Sequence, residues 1–432
     1  MIEKNLIKLV LFHISIGALI AFCPFFSKVY AILIILIGFW VVIKSKNKND
    51  EVLYVIAYIV GSEVFLRTTF GNPCHEYGKY FMLSFTLLGF FYKGIPKFRN
   101  PYWFYLTLIL PAIFISTLTL TEGLRIKILY EILGPICLGV LALYTYKREI
   151  SLNRINAILN VIALPIVTTC VFLIIKYSEK TETLSSYGSN FYFSGNFGPN
   201  QMATALGLGL FIYFLKIQLE TYSKKILYIN LIIFCVIYYR GLLTFSRGGI
   251  ITSLIVIFSI ILTMYIGLKK DQIQNTRIAV SLFLLPLIFM ITSYYTENKL
   301  SERYSIPTEV SIKKGGRYLQ VKTDINRFKE NPIFGVGVGV AKRQRSEIES
   351  KRVINTHVES TRMLSEHGIL GMLSLIILIF YPLKLYRNNL QNIYVIPFLI
   401  FWFLTINHSA TRIAAPSFIY ALALLQIKSK EK

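Results

Sequence analysis

The chain reads as an all-α polytopic membrane protein with about 12–14 transmembrane helices and one large extracytoplasmic loop containing an amphipathic helix. Three observations predict this. Hydrophobic residues make up 54% of the 432 residues and charged residues 16%, with a mean hydropathy of +0.57, more apolar than soluble domains of this size. Apolar runs such as Tyr30 to Ile43, Tyr102 to Leu120, Ile250 to Leu268 and Val280 to Tyr294 approach or reach the ~20 residues a helix needs to cross ~30 Å of hydrocarbon. β-Barrel strands would alternate in polarity over ~10-residue segments, and these runs do not.

In chain order the expected spans are 5–22, 28–44, 51–70, 78–92, 101–120, 124–146, 155–176, 200–217, 226–244, 249–268, 278–295, 362–382, 391–407 and 409–426. They divide the chain into an N-terminal transmembrane bundle (1–176), a central transmembrane region (177–295) with an external polar loop at 177–199, an extracytoplasmic loop domain (296–361) and C-terminal transmembrane helices (362–432). The first span runs past Ala21 without a small-residue cleavage site, so Met1 is expected to stay on the mature chain. Cys23, Cys74, Cys137, Cys170 and Cys235 have neither CxxC nor other metal-ligand spacing and read as small core residues.

Lys and Arg set the orientation, because positive charge is retained on the cytoplasmic side in short loops. With the N-terminus inside, cytoplasmic segments collect 22 of the 46 basic residues. The stretch from Thr296 to Arg362 carries 14 basic residues against eight acidic ones, and long loops are exempt from the rule. Both termini inside and the long loop outside is the consistent solution. About half of the net charge of +24 is thus topological; the rest suggests an anionic ligand. A phosphate-bearing lipid suits an extracytoplasmic face better than nucleic acid, for which no module is evident.

In the long loop, Tyr318, Val321, Ile325 and Phe328 recur at intervals of three, four and three between Gly316 and Glu330, one face of a helix. Arg317, Gln320, Asp324 and Arg327 mark an adjoining face, and Asn331-Pro332 stops the helix. Such a helix lies against the membrane surface or the bundle, its arginines turned to a polar cavity or simply solvated. GVGVG at 335–339 lacks both GxGxxG and P-loop spacing; its glycines are expected to allow a tight backbone path. His357 falls just before the next span, where an imidazole can exchange a proton near neutral pH. Glu366 and His367 lie one to two turns inside that span, and ionisable residues there read as functional; for His367 a helix-packing hydrogen bond is the other reading. The turn TFSRGGI puts Arg247, with Arg240 upstream, on the face that the positive-inside rule depletes, and a bound phosphate would account for it. The aromatic and polar segment before the eighth span, with Asn196 and Asn200, suits sugar stacking or an interfacial aromatic belt. Glu63 and Arg67 are spaced to pair with each other, while Arg125, Arg412 and His408 are weaker external candidates.

Four motifs occur in order: NFGPN before a span, SRGG between two spans, GGR opening a loop helix that ends in NPIFGVGVG, and His357 followed nine residues later by EHGILG. From about Asn190 to Leu373 this resembles the O-antigen ligase and O-antigen polymerase superfamily. The resemblance implies a multi-pass protein of the bacterial inner membrane with an extracytoplasmic active face. It implies transfer of a glycan from a polyprenyl-diphosphate carrier to an acceptor sugar hydroxyl, with inversion and with no metal, nucleotide or other cofactor. Arg247 and Arg317 would hold the diphosphate and His357 would contact or activate the acceptor hydroxyl, with Arg240, Asn196, Asn200, Arg327, Glu366 and His367 as substrate-binding candidates. Val358-Glu359 follow His357 where the family often has Asn. A ligase delivers the glycan to lipid A-core and a polymerase to another lipid-linked repeat unit; a flippase for such lipids is the third alternative and would place charge on both sides of a passage.

The topology is testable directly. A single cysteine at Ser346 in an otherwise cysteine-free variant should react with a membrane-impermeant thiol reagent in intact cells or spheroplasts; labelling only after lysis would reverse the orientation.

Overall fold

A computed structural model describes the backbone of residues 2–119, 124–178, 184–219, 223–305, 316–342 and 358–428, and their side chains except those of 2–4, 117–119, 124–127, 316–317 and 428. The chain is an all-α polytopic membrane protein. Its helices are α1 (Ile2–Phe22), α2 (Phe25–Ser45), α3 (Glu51–Thr68), α4 (Tyr77–Lys93), α5 (Pro101–Ile109), α6 (Pro111–Thr119), α7 (Leu124–Thr145), α8 (Leu152–Lys176), α9 (Pro199–Leu219), α10 (Lys224–Leu243), α11 (Arg247–Gly267), α12 (Asn275–Tyr295), α13 (Lys299–Ser305), α14 (Gly316–Glu330), α15 (Glu359–Asn388), α16 (Val395–Ile406) and α17 (Ala415–Ala423).

Each expected span falls on a helix. The fifth is shared by α5 and α6, which break at Pro111, where the ring removes an N–H from the ladder. Among the described residues nine helices are long and apolar enough to cross a membrane. Outside that count lie α3, with Glu51, Glu63 and Arg67 in its 18 residues, and α4, 17 residues long. The last two, α16 and α17, are shorter than expected at 12 and 9 residues. Two strands were not expected: β1 (Glu149–Ser151) and β2 (Gln426–Lys428) pair in parallel, Ile150 opposite Ile427. They join the α7–α8 connection to the C-terminal segment at the end of the bundle opposite the long loop.

The main core is built where α3 packs on α8 and α9 packs on α10 and α11. A second core gathers α5, α7, α15, α16 and α17 around Tyr102, Trp402 and Tyr420. Between these groups, at the end of the bundle that carries the long loop, lies the polar region treated below.

The expected loop helix is α14, and it packs on α15. Its polar face points inward: Gln320, Asp324 and Arg327 are buried, whereas Tyr318, Leu319 and Ile325 are exposed. That inversion suits a helix whose outer side meets lipid. After Asn331 the chain runs through a series of turns, with Gly335, Gly337 and Gly339 at positive φ, and inserts between α6 and α15. Helix α15 is broken there, with Gly368 at φ 61° and ψ −141°. Val336 N–H donates to Ser365 O at 2.9 Å, Gly337 N–H to Glu366 O at 3.1 Å, Ile369 N–H to Pro332 O at 2.7 Å and Val338 N–H to Ala112 O at 3.3 Å. Non-helical backbone within a membrane bundle persists only where protein satisfies its polar groups, and the break and the inserted segment satisfy each other. A Cβ on Gly335 would stand 2.4 Å from the Glu366 carbonyl carbon, and one on Gly337 2.8 Å from Ser116 N.

Gly335→Ala and Gly337→Ala, at φ 70° and 92°, should therefore each destabilise the protein by about 1–3 kcal/mol. Gly188→Ala, which meets nothing within 4 Å, is the control expected within about 0.5 kcal/mol of wild type. Thermal unfolding in detergent checks both; a control-like Tm for the first two would contradict the close approach.

Candidate functional site

At the loop end of the bundle a cavity of about 320 Å³ is lined by Arg67, His75, Glu76, Lys79, Tyr130, Glu131, Phe197, Gln201, Lys342, Glu359, Arg362, Ala410, Thr411 and Arg412. The residues come from α3, the α3–α4 turn, α4, α7, the start of α9, the end of the inserted segment, α15 and the α16–α17 turn. Five basic side chains and three carboxylates line it, so the surface offered to a ligand is net positive, while Glu63 and Glu366 pair with Arg67 and Arg362 from behind the wall. Low-dielectric walls strengthen such a field.

One wall is organised by carboxylates at the ends of α3 and α4. Arg67 Nη2 donates to Glu63 Oε1 at 2.8 Å and lies 3.3 Å from Glu76 Oε2, which also holds Lys79 Nζ at 2.9 Å. Glu63 is fully buried and its second oxygen accepts Ala414 N–H at 2.7 Å, fixing the α16–α17 turn that carries Thr411 and Arg412. His75 Nδ1 is 3.2 Å from Glu76 Oε1. Burial alone would raise the Glu76 carboxyl, but Lys79 and then Arg67 outweigh it and hold it below the ordinary carboxylate range, so Glu76 is an anion that keeps both cations in place.

The opposite wall centres on Arg362, 1% exposed. Its Nε donates to Glu359 Oε2 at 3.0 Å and its Nη2 to Glu359 Oε1, a two-pronged fork. Nη1 donates to Glu366 Oε2 at 2.8 Å and lies 3.6 Å from Glu131 Oε2, and Nη2 also reaches Glu131 O at 3.1 Å. Lys342 Nζ donates to Glu131 Oε1 at 3.0 Å. Glu366 accepts Gly339 N–H at 3.1 Å as well, which ties the inserted segment to this wall. Pairing of this density is what charged groups within a bundle require.

The residues expected from sequence are distributed as follows. Arg247 is the first residue of α11, half-buried, its Nη1 donating to Arg303 O at 3.3 Å, and it does not line the cavity. Neighbouring Ser246 Oγ donates to Asn200 Oδ1 at 2.7 Å, beside the cavity residue Gln201. The two glycines after Arg247 serve packing: a Cβ on Gly248 would meet the His408 ring at 2.7 Å and one on Gly249 the Ala203 carbonyl carbon at 2.4 Å. His408 is buried between Thr204 and Thr252, at 3.1 and 3.4 Å. Arg240 is buried, donates to Tyr177 O at 3.4 Å and Phe193 O at 3.1 Å, and stacks over Phe193, so it anchors the 177–198 loop. Asn196 is exposed in the left-handed region of that loop, at φ 56°. Arg327 pairs with Asp324 at 3.2 Å, and Asp324 Oδ2 accepts Thr361 Oγ1–H at 3.1 Å. Glu366 lies directly behind Arg362. His367 is buried, and neither ring nitrogen has a partner among the described residues. The Arg317 and Arg125 side chains and all of His357 lie outside the described residues; in sequence His357 is two residues before Glu359, which lines the cavity.

Glu63 and Arg67 do pair, yet Arg67 also reaches the cavity, and Arg412 lines it. Sequence reasoning missed His75, Glu76, Lys79, Glu131, Lys342, Glu359 and Arg362. A signal existed for several: Lys79, Glu131 and Arg362 are charges inside or at the ends of apolar spans. No metal-ligand cluster of His, Cys, Asp and Glu occurs among the described residues.

Residues 230–376 match the family described as O-Antigen ligase. The matched stretch begins in α10, takes in the Arg247 turn, α14 and the inserted segment, and ends in α15 beyond Arg362 and Glu366. No curated protein and no solved structure matches the chain. Lys342, Glu359 and Arg362 of the cavity fall inside the match. Over this stretch the chain is similar to the O-antigen ligase family, whose members are glycosyltransferase-like enzymes of the ligase and polymerase type.

Proposed function

We propose that this protein moves a glycan from a polyprenyl-diphosphate carrier to an acceptor sugar hydroxyl, as a ligase acting on lipid A-core at the outer face of the inner membrane. The observation that carries the reading is the cavity at the loop end, whose lining carries five basic side chains and which is bordered by apolar helices through which a lipid-linked substrate can approach. Its charged groups all gather at one end of the bundle, which supports a transferase over a flippase.

In the proposed reaction the bond from the anomeric carbon to the diphosphate oxygen breaks and its electron pair stays on that oxygen. The acceptor hydroxyl oxygen bonds to the anomeric carbon from the opposite face, giving inversion, and its proton passes to His357. Arg67, Lys79, Lys342 and Arg362 stabilise the developing charge from the cavity walls, a role that preorganised cations fill best where water is excluded. Arg247, outside the cavity, and Arg317 are proposed to hold the carrier's diphosphate as it approaches, before Lys342 and Arg362 take it over in the cavity. With that much positive charge supplied by side chains, neither metal nor nucleotide takes part in this scheme.

Arg362→Lys keeps a charge but loses the fork to Glu359, and should lower transfer by roughly 10²-fold with the protein still folded, whereas Lys342→Ala should lower it by about tenfold, mainly through donor KM. Wild-type turnover in both would place the chemistry elsewhere. Purified protein should also transfer glycan from a polyprenyl-diphosphate donor in excess EDTA without nucleotide, onto lipid A-core. Strict dependence on Mg²⁺ or ATP would overturn the mechanism, and transfer only onto a second lipid-linked repeat unit would make it a polymerase.

A further inference from the structure

A cavity for an anion has no obvious use for carboxylates, and three line this one. Two of them have a clear part in the frame. Glu76 gathers Arg67, Lys79 and His75, and Glu359 takes the Arg362 fork from an adjacent turn of the same helix. Glu131 differs from both. It stands on α7 and joins two cations from separate segments, Lys342 at the end of the inserted segment and Arg362 on α15, at 3.0 and 3.6 Å. Its side chain is 18% exposed, against 8% for Glu76 and 5% for Glu359, and its partner Lys342 is 34% exposed. Among the Lys and Arg ion pairs of the cavity, Glu131–Lys342 is therefore the one that solvent, or an incoming anion, reaches most easily, and the one with least desolvation to undo.

We propose that Glu131 is a resident counter-anion that stands where a phosphate group binds. Lys342 and Arg362 exchange the Glu131 carboxylate for the donor diphosphate and return to it when the diphosphate leaves. The inference rests on the reading of the cavity as a diphosphate site. Two physical needs are met by such a residue. In the empty site, cations held in a low-dielectric wall keep a partner, so the cavity does not carry uncompensated charge. After transfer, the leaving diphosphate is esterified at one end only and gains up to about one further negative charge near neutral pH, so the same cations would hold product more tightly than donor. A carboxylate competing for Lys342 and Arg362 offsets that gain and speeds release. It also makes the site selective, because a singly charged anion has little advantage over the carboxylate already present.

The test uses the full-length protein in lipid nanodiscs, titrated with a polyprenyl diphosphate bearing no glycan. Glu131→Gln keeps the shape and removes the charge; it should bind this probe about tenfold more tightly than wild type. It should lower donor KM and kcat together and show a burst in the first turnover, as expected when product release limits the rate. In the Lys342→Ala background the same substitution should give a much smaller gain, since the contested cation is gone. Unchanged or weaker probe binding by Glu131→Gln, beside normal binding by wild type, overturns the proposal while leaving the diphosphate site standing. A wild-type protein that does not bind the probe overturns both. If thermal unfolding shows that Glu131→Gln does not fold, Glu131→Asp, which withdraws the carboxylate by one methylene, takes its place: a several-fold gain supports the exchange and none refutes it.

Discussion

Arg362 places a full charge in a bundle of apolar helices, and much of the site is arranged to satisfy it. An isolated cation there would cost several kcal/mol. Glu359 and Glu366, three before and four after it on α15, and Glu131 across on α7 answer that charge. Glu366 then accepts the Gly339 N–H, so the position of the inserted segment, and of Lys342 at its end, depends on the same guanidinium. One residue thus links the broken helix, the inserted segment and both α7 contacts into a single electrostatic unit.

The break in α15 follows from the same arrangement. A continuous helix would use the Ser365 and Glu366 carbonyls internally and offer nothing to a neighbouring strand of chain. At Gly368 the ladder is interrupted, and those carbonyls take Val336 and Gly337 N–H groups instead. The glycines of GVGVG are needed because backbone meets backbone at these points. Polar satisfaction and close approach are two aspects of one contact, and the inward polar face of α14 is satisfied separately, Asp324 pairing with Arg327 and accepting from Thr361.

Much of the fold was legible in the sequence, since hydropathy acts locally: a run of apolar residues must be helical in lipid whatever its neighbours do. The 3-4-3 spacing that marked α14 is local in the same sense. The site was less legible. Glu63 with Arg67 could be paired by their i, i+4 spacing, but Lys342 with Glu131 are 211 residues apart, and nothing in either neighbourhood names the other. Arg240 and Arg247 drew attention as arginines near a turn, where sequence cannot tell a ligand from an anchor; the carbonyls of Tyr177 and Phe193 make Arg240 an anchor of its loop. GVGVG was rightly separated from nucleotide loops on spacing, yet its partner, the break at Gly368, lies about thirty residues further on and leaves no mark beyond a glycine.

The division of the cavity between two parts of the chain bears on how the reaction is built. The stretch that matches the O-antigen ligase family contributes Lys342, Glu359 and Arg362, but Arg67, Glu76, Lys79 and Glu131 come from helices before it and Arg412 from the turn after it. The matched stretch holds the break, the inserted segment and the Arg362 fork, and it cannot close the cavity alone. Glu131 comes from outside the match, yet its two partners lie within it, and Glu63 joins α3 to the C-terminal turn through Ala414 N–H. A charged site in a membrane protein needs walls that keep lipid from its charges, so the segments outside the match supply five of its eight charged lining side chains and the wall that completes it.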